Sequence, residues 1–226
     1  MSGRAGAPDA LGAARGRLVA ELGKHALVIG EVTLTSGATA RYYVDAKRAI
    51  LRRPGFLAVG ELVAAEAGVR GATAVGGMTM GADPVACAAL AAADGGLKAF
   101  FVRQQRKEHG LERWVEGPPL EPGERCLVVE DVVTTGGSTV AAIERIRGEG
   151  LAIAGVVSVL DRLAGGREAI EAAAGAPYLA LTTIDDVYPE RPDRGVGRRH
   201  RRGAGQESSP TMPASPRSSV DRARAS

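Results

Sequence analysis

CLVVEDVVTTGGST, residues 126–139, carries an apolar run into two adjacent acids and then into a burst of hydroxyls and glycines. Residues 126–129 read as a strand buried on both faces, and residues 138–147 place Val140, Ile143 and Ile146 on one side of a helix. Strand, tight turn and helix in that order are the repeating unit of an α/β fold with a parallel sheet. Ligands of such sheets bind beyond the carboxyl ends of the strands, which is where a strand ending at Val129 puts Glu130 and Asp131. Two neighbouring carboxylates repel and give up hydration, a cost that makes sense where they meet hydroxyls, a metal or a developing cation. The next residues suit an anion. Gly136 and Gly137 let backbone N–H groups close around it, the hydroxyls of Thr134, Thr135, Ser138 and Thr139 add donors, and the helix turns its positive end to the same spot. A phosphorylated sugar satisfies both halves, its ribose hydroxyls on the acids and its phosphate on the loop.

Two competing anion sites are excluded by their missing signatures: no GxxxxGK[ST] occurs in the chain, and no GxGxxG opens a βαβ unit. Outward from the quoted stretch the α/β rhythm continues. Phe56, Val59, Gly60, Val63 and Ala67 fall at helical spacing, 74–77 reads as a strand reaching a glycine turn, and 84–93 as an alanine-rich helix opened by proline. Residues 98–103 form the next expected strand, followed by a polar, Gly- and Pro-rich loop over 104–123 that is long enough to be functional. Beyond the central helix the pattern predicts a strand over 152–160, a helix over 167–174 and a strand over 178–184. VTLTSGATARYYVD, residues 32–45, breaks the rhythm: two alternating strands joined at Ser36-Gly37 predict a hairpin that sits as a hood over the main sheet.

With 226 residues and 45% hydrophobic content, the chain supports one sizeable core. The expected organisation is a disordered start over 1–8, a folded domain over 9–187 with the hood drawn mainly from 9–45, and a disordered Arg/Ser/Pro-rich tail over 188–226. The formal charge of +3 is unevenly distributed: from residue 189 onward nine arginines face four acids, a surplus of five, which leaves about −2 on the rest. The run RRHRR, residues 198–202, has no interleaved aromatic, so a solvated tail is expected rather than a nucleic-acid site. No apolar run is long enough to span a bilayer and the first residues lack a secretory pattern, so a cytoplasmic protein is expected. Cys87 and Cys126 both lie in apolar segments and are expected to be buried and free.

VVEDVVTTGGST, framed by a strand and a helix, resembles the phosphoribosyl-diphosphate motif of the type I phosphoribosyltransferases. Three further segments resemble the orotate-specific branch of that family: TLTSG with RYYVD as the hood segment, RQQRKEHG as the catalytic loop, and SVLDR as the strand end whose arginine meets the orotate carboxylate. Together they cover roughly residues 18–184. The resemblance implies a central parallel sheet flanked by helices, and transfer of phosphoribosyl from its diphosphate to orotate, giving orotidine 5′-monophosphate and diphosphate in pyrimidine synthesis. It implies that Glu130 and Asp131 hold the ribose hydroxyls and offset positive charge growing at C1, while Thr134, Thr135, Gly136, Gly137, Ser138 and Thr139 hold the 5′-phosphate. Arg103, Lys107 and His109 match the loop's cationic positions, with Lys107 and His109 stabilising the departing diphosphate. Arg162 matches the carboxylate fork, and Tyr42 and Tyr43 the cradle of the pyrimidine. Mg²⁺ is implied as a cofactor carried by substrate, near Asp131 but held directly by no protein side chain, and a homodimer is implied that shares its active sites through the 103–118 loop.

The glycine-rich run 76–81 resembles the loop that meets diphosphate through main chain. Thr35, Met80 and Gln104 depart from the family, standing where some relatives carry lysine. A purine-type phosphoribosyltransferase shares the sugar-phosphate loop but not TLTSG, YYVD and LDR. A nucleic-acid-binding sensor of phosphoribosyl diphosphate needs basic residues on the folded surface, which the slightly acidic domain does not offer.

Overall fold

The computed structural model describes residues 7–33, 39–105 and 113–194. Helix α1 (Ala7–His25) leads into a hairpin of β1 (Leu27–Thr33) and β2 (Thr39–Val44), then α2 (Lys47–Ile50) and α3 (Arg53–Val69). The alternation that follows is β3 (Ala74–Met78), α4 (Asp83–Ala92), β4 (Lys98–Val102), β5 (Val115–Glu116), β6 (Arg125–Val133), α5 (Gly137–Gly148), β7 (Ala152–Asp161), α6 (Gly166–Ala174), β8 (Tyr178–Thr183) and α7 (Ile184–Val187). The main sheet has the order β5-β4-β3-β6-β7-β8, parallel throughout except for β5, which runs antiparallel to β4.

Alternate residues of β6 serve different cores. Leu127 and Val129 join the cluster built on α1, α3 and α4, whereas Cys126 and Val128 join the one built on α5 and α6. A strand covered on both faces has no polar side to show, which is why 126–129 is apolar without interruption. Two close backbone approaches set the helix layer: a Cβ on Gly60 would strike the Ala88 carbonyl of α4, and one on Gly55 the Ala49 carbonyl of α2. From β3 the chain moves outward to β4 and β5 and then returns to lay β6 on the other side of β3. That reversal opens a crevice at the carboxyl ends of β3 and β6.

The sequence expectations need adjusting in four places. β6 does not stop at Val129: its ladder with β7 continues through Glu130↔Ser158 to Val133↔Asp161, because a long partner strand keeps pairing the backbone whatever the side chains carry. The acids therefore ride on the last turns of a rigid strand. The hairpin forms as expected, with Gly30 in the left-handed region beside a register shift, and its Ser36-Gly37 turn lies outside the described residues. Helix α1 is not a separate hood element, since Ala14, Leu18 and Leu22, four residues apart on one stripe, are fully buried in the same core as Val59 and Leu181. Contacts also run beyond Val187, where Arg191 pairs with Asp185 at 2.9 Å and Asp193 accepts from the Tyr42 hydroxyl at 3.1 Å. Within the expected tail, only residues 195–226 lie outside the described part. Cys126 is buried, its thiol pushed up to about 12 by that burial, but Cys87 is exposed on the outer face of α4. No helix among the described residues is long and apolar enough to cross a membrane.

Candidate active site

Glu130 and Asp131, both buried, face different partners. The Ser138 and Thr139 hydroxyls donate to Glu130 Oε2 at 2.7 and 3.1 Å. Burial pushes the Glu130 carboxyl up to about 7; the adjacent Asp131 charge adds to that rise and the Ser138 and Thr139 bonds oppose it. Asp131 accepts the backbone N–H of Val132 at 2.9 Å on Oδ1 and the Lys47 ammonium at 3.2 Å on Oδ2. Lys47 also reaches Asp45 at 2.9 Å. Burial alone would lower the lysine's pKa, yet the two carboxylates more than offset this and hold it above its ordinary value.

Sequence reasoning missed Lys47. It begins a four-residue helix just after the hood strand, and nothing in its neighbours marks it as part of the cleft. The one available signal was its spacing from Asp45, whose side chain accepts the Lys47 backbone N–H at 3.2 Å.

The glycines of the loop divide the work. Gly136 has φ +82°, and a Cβ there would also press on Ile170 and the Gly166 carbonyl, so only glycine closes the turn. Gly137 has open space where a Cβ would stand. Thr134, Thr135, Gly137 and Ser138 are exposed and form an open rim at the start of α5, whose first N–H groups have no acceptor within the helix. Thr139 is buried, and like Ser138 it is engaged with Glu130.

A cavity of about 200 Å³ gathers Asp131, Thr134, Arg162, Tyr43 and Lys47 at the carboxyl ends of β6 and β7. Sequence-distant candidates thus meet in one place. The Arg162 backbone N–H donates to the Val133 carbonyl at 2.9 Å, tying the end of β7 to that of β6, and its buried Nε has no hydrogen-bond partner among the described residues. The tyrosine pair is split by the strand's alternation. Tyr43 is half-exposed and lines the cavity, whereas Tyr42 is buried, with its ring beneath the Arg162 guanidinium at 5.1 Å and its edge against Tyr188.

A second cavity, about 460 Å³, is lined by Thr79, Phe101, Arg103, Gln104, Gln105 and Glu116. Arg103 pairs there with Glu116 at 3.1 Å, and Gln104 donates to the Thr79 carbonyl at 2.9 Å, fastening the root of the long loop to the 76–81 turn. Met80 is 73% exposed on that turn. At Gly77 a Cβ would strike the Val129 carbonyl, and at Gly81 the Asp131 carboxylate, so the turn lies directly against the acid-bearing strand. Lys107 and His109 fall in 106–112, and Thr35 in 34–38, all outside the described residues.

Residues 68–174 match the model of the phosphoribosyl transferase domain. The orotate phosphoribosyltransferase of Streptomyces avermitilis is 48% identical over 176 residues, covering 76% of this chain and 96% of that protein. The crystal structure of the Mycobacterium tuberculosis H37Rv orotate phosphoribosyltransferase in complex with Fe(III) dicitrate superposes with a TM-score of 0.70 at 39% identity, covering 77% of this chain and 99% of that one. A crystal structure of the same enzyme in complex with 5-phospho-alpha-D-ribosyl 1-diphosphate gives a TM-score of 0.66 at 35% identity, with 77% and 98% covered.

Proposed function

The chain belongs to the orotate phosphoribosyltransferases, and from that membership we propose how its cleft carries the reaction. It transfers phosphoribosyl from 5-phospho-α-D-ribose 1-diphosphate to orotate, giving orotidine 5′-monophosphate and diphosphate, a step of pyrimidine synthesis. The observation that carries the mechanism is the cavity in which an acid of β6, a hydroxyl of the phosphate loop and the arginine just past β7 converge.

The exposed rim over 134–138 and the first N–H groups of α5 receive the 5′-phosphate. Asp131 and Glu130 accept the ribose hydroxyls and lower the cost of positive charge at C1 as the bond to diphosphate breaks and the bond to N1 of orotate forms, the N1 proton leaving to the departing diphosphate or to water. Ser138 and Thr139 play a double part. Their hydroxyls satisfy Glu130 in the free protein, and turning toward phosphate releases that carboxyl for the sugar. Arg162, its Nε without an acceptor, presents a planar fork to the orotate carboxylate, and Tyr43 flanks the ring. Lys47 fixes the Asp131 carboxylate and supplies a cation in the cavity.

Mg²⁺ fits the donor set, because Asp131 offers hard oxygen beside a cavity wide enough for substrate oxygens and water. Carried on the substrate's own oxygens and held directly by no side chain, the ion would lie near Asp131 and, when bound, would neutralise charge on the departing diphosphate. Lys107 and His109, with Arg103 at the loop's root, are proposed to complete that neutralisation, reaching the neighbouring subunit's site in a homodimer. A cytoplasmic setting accords with substrates of this kind. Mixing the chain with orotate, phosphoribosyl diphosphate and Mg²⁺ and following loss of orotate absorbance tests the reading: Asp131→Asn should lower turnover by about a hundredfold, and an unreactive wild-type chain would overturn it.

A further inference from the structure

Arg162 lies over a tyrosine that the last described segment holds in place. Tyr42 is 3% exposed, its ring lies beneath the Arg162 guanidinium at 5.1 Å, and it makes a T-shaped contact with the Tyr188 ring at 5.4 Å and 87°. Its hydroxyl donates to both carboxylate oxygens of Asp193, at 3.1 and 3.2 Å. Asp193 in turn takes the Arg191 guanidinium at 2.9 Å, and Arg191, only 10% exposed, reaches Asp185 at 2.9 Å with its other arm. Backbone bonds from Tyr188 to Ile184 at 2.8 Å and from Arg191 to Tyr188 at 3.2 Å turn the segment back on α7. Tyr188 packs against the main core, and charge and hydrogen bonds hold the rest of the strap.

We infer that Asp193 is a positioning residue for recognition of the orotate carboxylate: it fixes the Tyr42 ring, and the ring fixes the plane of the Arg162 guanidinium that faces the cavity. The inference rests on the orotate reading of that cavity. A guanidinium is effective as a fork only when its plane is set, and among the described residues Arg162 Nε has no partner of its own to set it. The Tyr42 ring beneath the guanidinium at 5.1 Å supplies the missing constraint. A ring whose hydroxyl has lost its acceptor is free to tilt or move outward, and the guanidinium moves with it. The phosphoribosyl side of the cleft, built from β6 and the loop before α5, makes no contact with the strap in the bonds described above.

The test is the split between the two substrates. In the full-length chain, Asp193→Ala and Tyr42→Phe should each raise KM for orotate about three- to tenfold, with KM for phosphoribosyl diphosphate unchanged. Asp193→Asn, which keeps an acceptor oxygen for the hydroxyl, should recover most of that loss. A chain ending at Arg194 should behave as wild type, and one ending at Val187 should share the orotate defect. Equal increases in both KM values, or an unchanged orotate KM in Asp193→Ala and Tyr42→Phe, would overturn the inference while the wild type still turns orotate over. Absence of orotate turnover in the wild type instead refutes the functional reading itself.

Discussion

Gly81→Ala probes the closest approach between the 76–81 turn and the acid-bearing strand. Gly81 lies outside the left-handed region, so its backbone accepts alanine, but the new Cβ would occupy the place of the Asp131 carboxylate. Asp131 must then swing away from the Lys47 ammonium at 3.2 Å and the Val132 N–H at 2.9 Å. Hydrogen bonds to a charged group contribute about 1.5–3 kcal/mol when buried. Lys47 keeps 34% of its side chain in solvent, so the combined loss of stability is set at about 2 kcal/mol. Catalysis should suffer more than the fold: displacing a reacting group by about 1 Å costs on the order of a hundredfold in kcat. Denaturant unfolding measures the first quantity and initial rates of orotate consumption the second. A variant that unfolds about 2 kcal/mol earlier yet keeps wild-type kcat/KM would refute the placement of Asp131 at the reacting sugar.

Other perturbations separate fold from site. Glu130, shifted from an ordinary 4.5 to about 7, binds its proton more tightly when folded, so its own contribution to stability is fully present below pH 4.5 and is lost as pH rises through 7, by on the order of 3 kcal/mol. Glu130→Gln should flatten that slope in thermal melts across the same window. Arg162→Lys replaces a fork with a point charge and should raise KM for orotate roughly tenfold or more, leaving KM for phosphoribosyl diphosphate nearly constant in the same initial-rate assay. Leu18→Ala removes a fully buried α1 side chain and should cost about 2–5 kcal/mol in a single cooperative unfolding transition, because α1 shares the main core.

Most of the sheet was legible because strands covered on both faces are written as nearly continuous apolar runs, as 126–129 is and as 152–160 is apart from Gly155 and Ser158. The end of β6 was not, since carboxylates at 130 and 131 read as a stop while the ladder to β7 continued past them. The split between Tyr42 and Tyr43 follows from strand alternation and was available in RYYVD; the likeness to a pyrimidine cradle treated the two rings as equivalent. Lys47 and the strap were harder to see. Lys47 enters the site through the hood strand's approach to β6, a tertiary fact, and the strap is fastened by Arg191, Asp185 and Asp193, whose composition alone resembles a solvated tail. Ser138 and Thr139, expected to hold phosphate, lie in the first turn of α5 with Glu130 as their present partner, because a buried carboxyl without donors would cost more than an exposed phosphate site left to water.

Gly137 offers the most direct test that the rim before α5 holds the phosphate. A Cβ there meets nothing within 4 Å and needs no left-handed backbone, so Gly137→Val should fold and melt close to the wild type. The valine would nevertheless stand where the 5′-phosphate is expected. Calorimetric titration with phosphoribosyl diphosphate and Mg²⁺ should show affinity reduced by at least about a hundredfold, the loss of two or more charge-assisted contacts. Wild-type affinity in a correctly folded Gly137→Val chain would contradict the assignment.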